Sequence, residues 1–183
     1  MTIQLADLVF EPFIDAAAIR ARVEKIGSEI SSDYAGKKPL ILSVLNGSFL
    51  FMADLVRAIS IDCEMAFVRL SSYHGETETS GNVRELIGLE AEISGRDVII
   101  VEDIVDTGIT LQHLVEKIRV KKAASVRVCS LLVKRAAMQH QFDELRYVAF
   151  EIDPVFVVGY GLDYRELGRN LPEIYQLKKT NSA

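Results

Sequence analysis

VIIVEDIVDTGIT, residues 98–110, opens with four apolar residues that run straight into Glu102 and Asp103. Ile104 and Val105 follow, then Asp106, Thr107, Gly108, Ile109 and Thr110. In the next stretch, LQHLVEKIRV, the residues Leu111, Leu114, Val115 and Ile118 recur at helical spacing. The pattern reads as a buried strand over 98–103, a short polar loop and an amphipathic helix over 110–120. Glu102 and Asp103 then stand at the C-terminal end of a strand, where open α/β sheets place their ligands. Backbone N–H groups of the loop and of the helix N-terminus can turn inward as an anion site. Carboxylates for hydroxyls and N–H groups for a phosphate suit a diol-plus-phosphate ligand such as ribose 5-phosphate. Acidic residues also follow strands for no functional reason, and Thr110 can serve simply as a helix cap. The run contains neither a Walker A loop nor a G-x-G-x-x-G fingerprint.

A strand over 125–133 completes a βαβ unit, whose right-handed crossover favours a parallel sheet. Upstream, PLILSVL at 39–45 reads as a buried strand ended by NGS, and FLFMADLVRAI at 49–59 as a helix. CEMAFVRLSSY at 63–73 alternates as a strand does, with Met65, Phe67 and Arg69 against Ala66, Val68 and Leu70. Asp15 can cap a first helix that carries Ile19, Val23, Ile26 and Ile30 on one face. VAFEI at 148–152 and VFVVGY at 155–160 read as two short strands, and RELGRNLPEIYQL as a turn and edge segment. HGETETSGN, residues 74–82, has no hydrophobic residue and cannot anchor itself by burial. Such a loop in a compact domain is either functional or a plain solvated hairpin tip.

A length of 183 residues suits one domain over 1–183, and 49% hydrophobic with 26% charged is ordinary globular composition. The net charge of −5 argues against non-specific nucleic-acid binding, which needs a basic footprint. Cys63 and Cys129 lie far apart and form no C-x-x-C, so they suggest neither a metal nor a redox site. Each is expected to pack as a small apolar residue in a reducing cytosol, which implies a cytoplasmic location. The N-terminal residues lack a basic start and a long apolar run, so no signal peptide is expected. No stretch approaches the ~20 apolar residues of a membrane helix. His74, His113 and His140 have no metal-like spacing.

The 98–110 segment closely resembles the ribose-phosphate-pyrophosphate signature of type I phosphoribosyltransferases. LNGSFLFMADLVR at 45–57 resembles that family's first pyrophosphate loop with its following helix. SSYHGETETSGNV at 71–83 resembles its mobile active-site loop, and LLVKR at 131–135 and FVVGYGLDYRELGRNLPEIY at 156–175 its purine-binding and C-terminal segments. The matches are collinear from about residue 40 to 175 and point to the hypoxanthine-guanine branch. The resemblance implies an α/β type I fold: a central, mostly parallel sheet flanked by helices, with a small hood and a mobile loop. It implies transfer of 5-phosphoribosyl from phosphoribosyl pyrophosphate to a 6-oxopurine, giving IMP or GMP in purine salvage. Mg²⁺ as cofactor and homodimers or homotetramers are implied too, with the 49–59 helix as candidate interface or simply core.

The roles carried over are these. Glu102 and Asp103 accept hydrogen bonds from the ribose hydroxyls and associate with Mg²⁺, and Asp163 is a second metal-associated carboxylate. Asp106 is the general base near purine N7, a role typically worth ~10²–10⁴-fold. Partial burial beside Glu102 and Asp103 is expected to raise its affinity for a proton; an Asx turn is the plainer reading. Asp106, Thr107, Gly108, Ile109 and Thr110 cradle the 5′-phosphate. Lys134 donates to the 6-oxo group. A lone lysine at a strand end is usually a solvated charge, but as a donor-only group in a purine pocket it selects against adenine. Phe156 stacks on the purine and Val157 offers backbone groups to its 2-position edge. Asn46, Gly47 and Arg169 bind pyrophosphate, and Ser72 and Tyr73 form the lid that excludes water.

One departure stands out. The family's first loop commonly carries lysine where this chain has Asn46, which removes a cation near pyrophosphate. The loop's backbone amides, with a non-proline cis peptide in the family, remain for the leaving group. Two other readings are a sugar-phosphate-sensing regulator on the same fold, which would need a basic face for nucleic acid, and a transferase preferring xanthine.

Overall fold

The computed structural model describes residues 1–72, 83–87, 91–139 and 143–179, with the backbone alone for 70–72 and 83–87. The elements in chain order are β1 (Ile3–Leu5), β2 (Leu8–Ile14), α1 (Ala16–Asp33), β3 (Leu40–Leu45), α2 (Phe49–Ala58), β4 (Glu64–Ser72) and β5 (Val83–Ile87). They continue with β6 (Asp97–Val105), α3 (Ile109–Val120), β7 (Ser125–Val133), β8 (Leu145–Glu151), β9 (Val157–Val158) and β10 (Ile174–Leu177).

Among the described residues, six strands form the main sheet in the order β5-β4-β3-β6-β7-β8. β4, β3, β6, β7 and β8 run parallel, and β5 pairs antiparallel at the edge. β6 shows why the sheet is a middle layer. Val98 and Ile100 pack with Leu111, Leu114, Val115 and Ile118 of α3. Ile99 and Val101 point the other way, to Ile19, Val23, Ile26 and Ile30 of α1 and Phe51, Met52 and Leu55 of α2. Strand alternation thus feeds two cores at once. Each such side chain, fully buried, contributes ~1.5–3 kcal/mol of hydrophobic stabilisation. Asp15 caps α1 as expected: its carboxylate accepts from the Ala18 N–H at 2.7 Å.

The strand order reverses between β3 and β6. From β3 the chain crosses through α2 to β4 on one side, and from β6 through α3 to β7 on the other. The C-terminal ends of β3 and β6 therefore flank a topological switch point, the ligand position of open α/β sheets.

A second, smaller sheet, β1-β2-β10-β9, forms the hood. The reading of residues 165–177 as an edge segment is corrected here: β10 lies inside this sheet, paired with β2 on one side and β9 on the other. The Ser72–Tyr73 lid expectation falls at the end of β4. Tyr73 and the 74–82 loop lie outside the described residues, as do His74 and His140. His113 is exposed on α3, and Cys63 and Cys129 are unpaired thiols, the latter fully buried. Among the described residues, no helix is long and apolar enough to cross a membrane.

Candidate functional site at the sheet switch point

Two loops meet at the switch point. The first follows β3: a cis peptide joins Leu45 to Asn46, and Gly47 and Ser48 lead into α2. The second follows β6 and carries Asp106 to Gly108 into α3. Between them lies a groove of ≈ 270 Å³, lined by Asn46 and Gly47 on one wall and by Glu102, Asp103, Asp106, Thr107, Gly108 and Thr110 on the other. A larger cavity, ≈ 620 Å³, lies between α1, α2 and residues 170–172. Asp54 on its wall is engaged by the Tyr160 hydroxyl and by Arg57, and the cavity lies away from the ends of β3 and β6, so the smaller groove is the one at the switch point.

Glu102 and Asp103 form the groove floor. Burial first, then the neighbouring charge of Asp103, pushes the Glu102 carboxyl well above the usual carboxylate range. Burial raises Asp103 as well. Its bonds to Glu102 and to the Ile104 N–H, at 2.7 Å, and the positive charge of Arg169 pull the other way. Two crowded carboxyls that resist ionisation together are stabilised by a cation or by hydroxyl donors, which is the chemistry of a metal ion or a sugar diol.

Gly108 caps α3 in a left-handed conformation, φ 84°, which a side chain rarely adopts. The first-turn N–H groups of a helix have no intrahelical acceptors, and the start of α3 borders the groove through Gly108, Thr110 and Leu111, beside Thr107. Asp106 corrects one expectation. It is not buried beside Glu102 and Asp103: the chain turns after Val105, and the Asp106 side chain is 49% exposed. Its carboxylate pairs instead with the Lys134 ammonium at 2.8 Å, and Lys134 is only 12% exposed. The Lys134 N–H bonds the Val105 carbonyl at 2.9 Å, and this fixes the end of β7 against the end of β6.

The turn that follows β9 of the hood packs against the first loop. Gly159, Tyr160 and Gly161 all have positive φ, at 99°, 48° and 101°. A Cβ on Gly161 would lie 2.0 Å from the Gly47 carbonyl oxygen, so this turn is pressed against the first loop. Arg169 secures it: the guanidinium donates to the Gly161 carbonyl at 2.9 Å and pairs with Asp163 at 2.7 Å and Glu166 at 3.0 Å. Asp163 also accepts from the Glu166 N–H at 2.8 Å. Among the described residues, no three His, Cys, Asp or Glu side chains gather as one metal cluster. Phe156 is 42% exposed and packs by its other side on Phe10 and Tyr164, with centroids at 6.0 Å and 5.8 Å. Val157 is buried in β9.

Sequence reasoning overlooked Phe10, Gly159, Gly161 and the serines under the first loop. The G-Y-G repeat inside FVVGYGLD was a readable signal for the glycines. Nothing local marked the others.

Residues 14–165 match the phosphoribosyl transferase domain family. The hypoxanthine-guanine phosphoribosyltransferase of Bacillus subtilis is 42% identical over 165 residues, which cover 90% of this chain and 91% of that one. Its counterpart from Streptococcus pneumoniae is 44% identical over 161 residues, covering 88% and 89%. Among solved structures, a hypoxanthine-guanine phosphoribosyltransferase from Bacillus anthracis superposes with a TM-score of 0.86 at 36% identity, over 92% of this chain and 98% of that one. A hypoxanthine phosphoribosyltransferase from Staphylococcus aureus gives 0.86 at 39% identity, over 92% and 91%.

Proposed function

The chain belongs to the phosphoribosyl transferase family, in its hypoxanthine-guanine branch, and on that premise we propose that it transfers the 5-phosphoribosyl group of phosphoribosyl pyrophosphate to hypoxanthine or guanine. The products are IMP or GMP and pyrophosphate, and the role is purine salvage. The observation that carries the base specificity is the Lys134–Asp106 pair at 2.8 Å. A 6-oxopurine with a proton on N7 offers an acceptor at O6 and a donor at N7. Lys134 has donors only and ionised Asp106 acceptors only, so one ligand can replace each partner for the other. Adenine puts an amino donor opposite the ammonium and offers no such exchange.

In the reaction, N9 of the purine attacks the anomeric carbon as its bond to pyrophosphate breaks. The N7 proton passes to Asp106, and positive charge builds on the ribose. Glu102 and Asp103 would hold the ribose hydroxyls and favour that charge. The α3 N-terminus with Thr107, Gly108, Ile109 and Thr110 would hold the 5′-phosphate. Phe156 and Val157 would wall the purine. Asn46, Gly47 and Arg169 would face the pyrophosphate, with Asp163 nearby. Mg²⁺ suits the crowded Glu102–Asp103 carboxylates, since it takes one or two carboxylates and fills its remaining positions with substrate oxygens and water. Bound there, it would neutralise charge on the departing pyrophosphate.

Lys134→Ala is expected to reduce the ratio of hypoxanthine to adenine turnover at least tenfold, in line with the ~1.5–3 kcal/mol of a charge-assisted hydrogen bond. Steady-state kcat/KM for each base checks it, and an unchanged ratio would remove Lys134 from the purine pocket. We also propose a homodimer or homotetramer. Phe49 is 54% exposed and Met65 58%, and Phe67, at 38%, is in register with Ser43 on the sheet face that α2 covers. Sedimentation at micromolar concentration should give an oligomer mass; a monomer would refute this.

A further inference from the structure

The first loop is closely confined on two sides. A Cβ on Gly47 would sit 1.6 Å from an Asp103 carboxylate oxygen, and Gly161 presses on the Gly47 carbonyl from the other side. Something beneath the loop must hold it there. Ser43 and Ser48 are both 0% exposed, on either side of the loop in sequence. Their hydroxyl oxygens are 2.7 Å apart, and the Ser48 hydroxyl donates to the Val44 carbonyl. A serine hydroxyl has one proton. With that of Ser48 committed to Val44, Ser43 is the donor to Ser48. The order of the chain is therefore Ser43 to Ser48 to the Val44 carbonyl.

Three features set this relay apart from ordinary packing. Ser43 is the one polar residue in β3, LILSVL, and its hydroxyl lies on the α1–α2 side of the sheet, opposite Leu40, Leu42 and Val44. Pairing between β3 and β6 stops at Ser43, while pairing with β4 continues through Val44 and Leu45, so the relay sits where the sheet opens on the β6 side. And Ser48 stands at the N-cap of α2 without making the forward cap bond that serines normally make there. Its hydroxyl is turned back under the loop, and the first-turn N–H groups of α2 carry no side-chain cap.

We propose that Ser43 and Ser48 are positioning residues for the pyrophosphate half of the sugar substrate: a buried hydroxyl relay that sets the height of the Asn46–Gly47 backbone over Asp103. This rests on the transferase reading. The relay touches neither the purine nor the 5′-phosphate wall, so its loss acts on one end of the substrate.

The test is Ser48→Ala, with Ser43→Ala as a second variant that keeps the Ser48 to Val44 bond. For each, the KM for pyrophosphate in the reverse reaction is compared with the dissociation constant for IMP. Ser48→Ala is expected to raise the pyrophosphate KM roughly tenfold, since misplacing a positioning group by 1 Å can cost ~10²-fold. Ser43→Ala should move it in the same direction by less, and IMP binding should stay within about twofold, as expected where no contact changes. A merely structural role would lower stability without splitting the two constants. Constants that move together, or that stay put in both variants while the wild type turns over, overturn the relay alone. A wild type without transfer activity overturns the relay and the transferase reading together.

Discussion

Gly47→Ala is expected to lower kcat/KM for phosphoribosyl pyrophosphate by about 10²-fold, with little change in the melting temperature. The new Cβ would lie 1.6 Å from Oδ2 of Asp103 and 2.6 Å from its Cγ, closer than any real contact. One side must give. The loop cannot retreat, because the Gly161 turn already sits on the Gly47 carbonyl and Arg169 holds that turn in place. The carboxylate is the softer partner, although its Oδ1 accepts the Ile104 N–H at 2.7 Å. Asp103 would therefore swing off the position from which it meets the ribose. A displacement of about 1 Å at a positioning group is enough for a loss of this size. Steady-state kinetics with thermal melting checks it. Near wild-type kcat/KM would show that the Asp103 position carries no catalytic weight.

Asp106→Asn is expected to lower kcat by ~10²–10⁴-fold, the range of a lost general base. The amide keeps the shape of the carboxylate and an oxygen for the Lys134 ammonium, now 2.8 Å away, so the groove should stay formed. It cannot take the N7 proton. Binding of phosphoribosyl pyrophosphate should change little, because the 5′-phosphate contacts assigned here come from the loop N–H groups and the threonines. Single-turnover rates and equilibrium binding separate the two effects. A fall in binding with an intact chemical step would make Asp106 a loop brace in place of the base.

Much of the main sheet is legible in the sequence because its signals are local. Val98 to Val101 alternate between two cores, Asp15 caps α1, and the periodicity of α3 and the run of β7 end within a residue or two of where the structure ends them. The hood is not local. β2 carries Pro12 and no clean alternation, and its partner β10 comes some 160 residues later in the chain. No window of sequence contains both, which is why β10 read as an edge. The site shows the same division. Glu102 and Asp103 follow from their place near the C-terminal end of a strand, and Gly108 from its place just before a helix. The pairing of Asp106 with Lys134 does not, since it depends on where the ends of β6 and β7 lie together. Adjacency to Glu102 and Asp103 suggested burial for Asp106, yet the turn after Val105 carries it to the open side. Ser43 and Ser48 read as strand filler and helix start, and only the fold brings their hydroxyls together.

The most direct test of the 6-oxopurine transferase reading is product formation from phosphoribosyl pyrophosphate and Mg²⁺ with hypoxanthine, guanine, xanthine and adenine in parallel, followed as nucleotide and pyrophosphate. IMP or GMP with matching pyrophosphate, and no AMP, is the expected result. AMP formation at a rate comparable to IMP, or no nucleotide from any base, would contradict it.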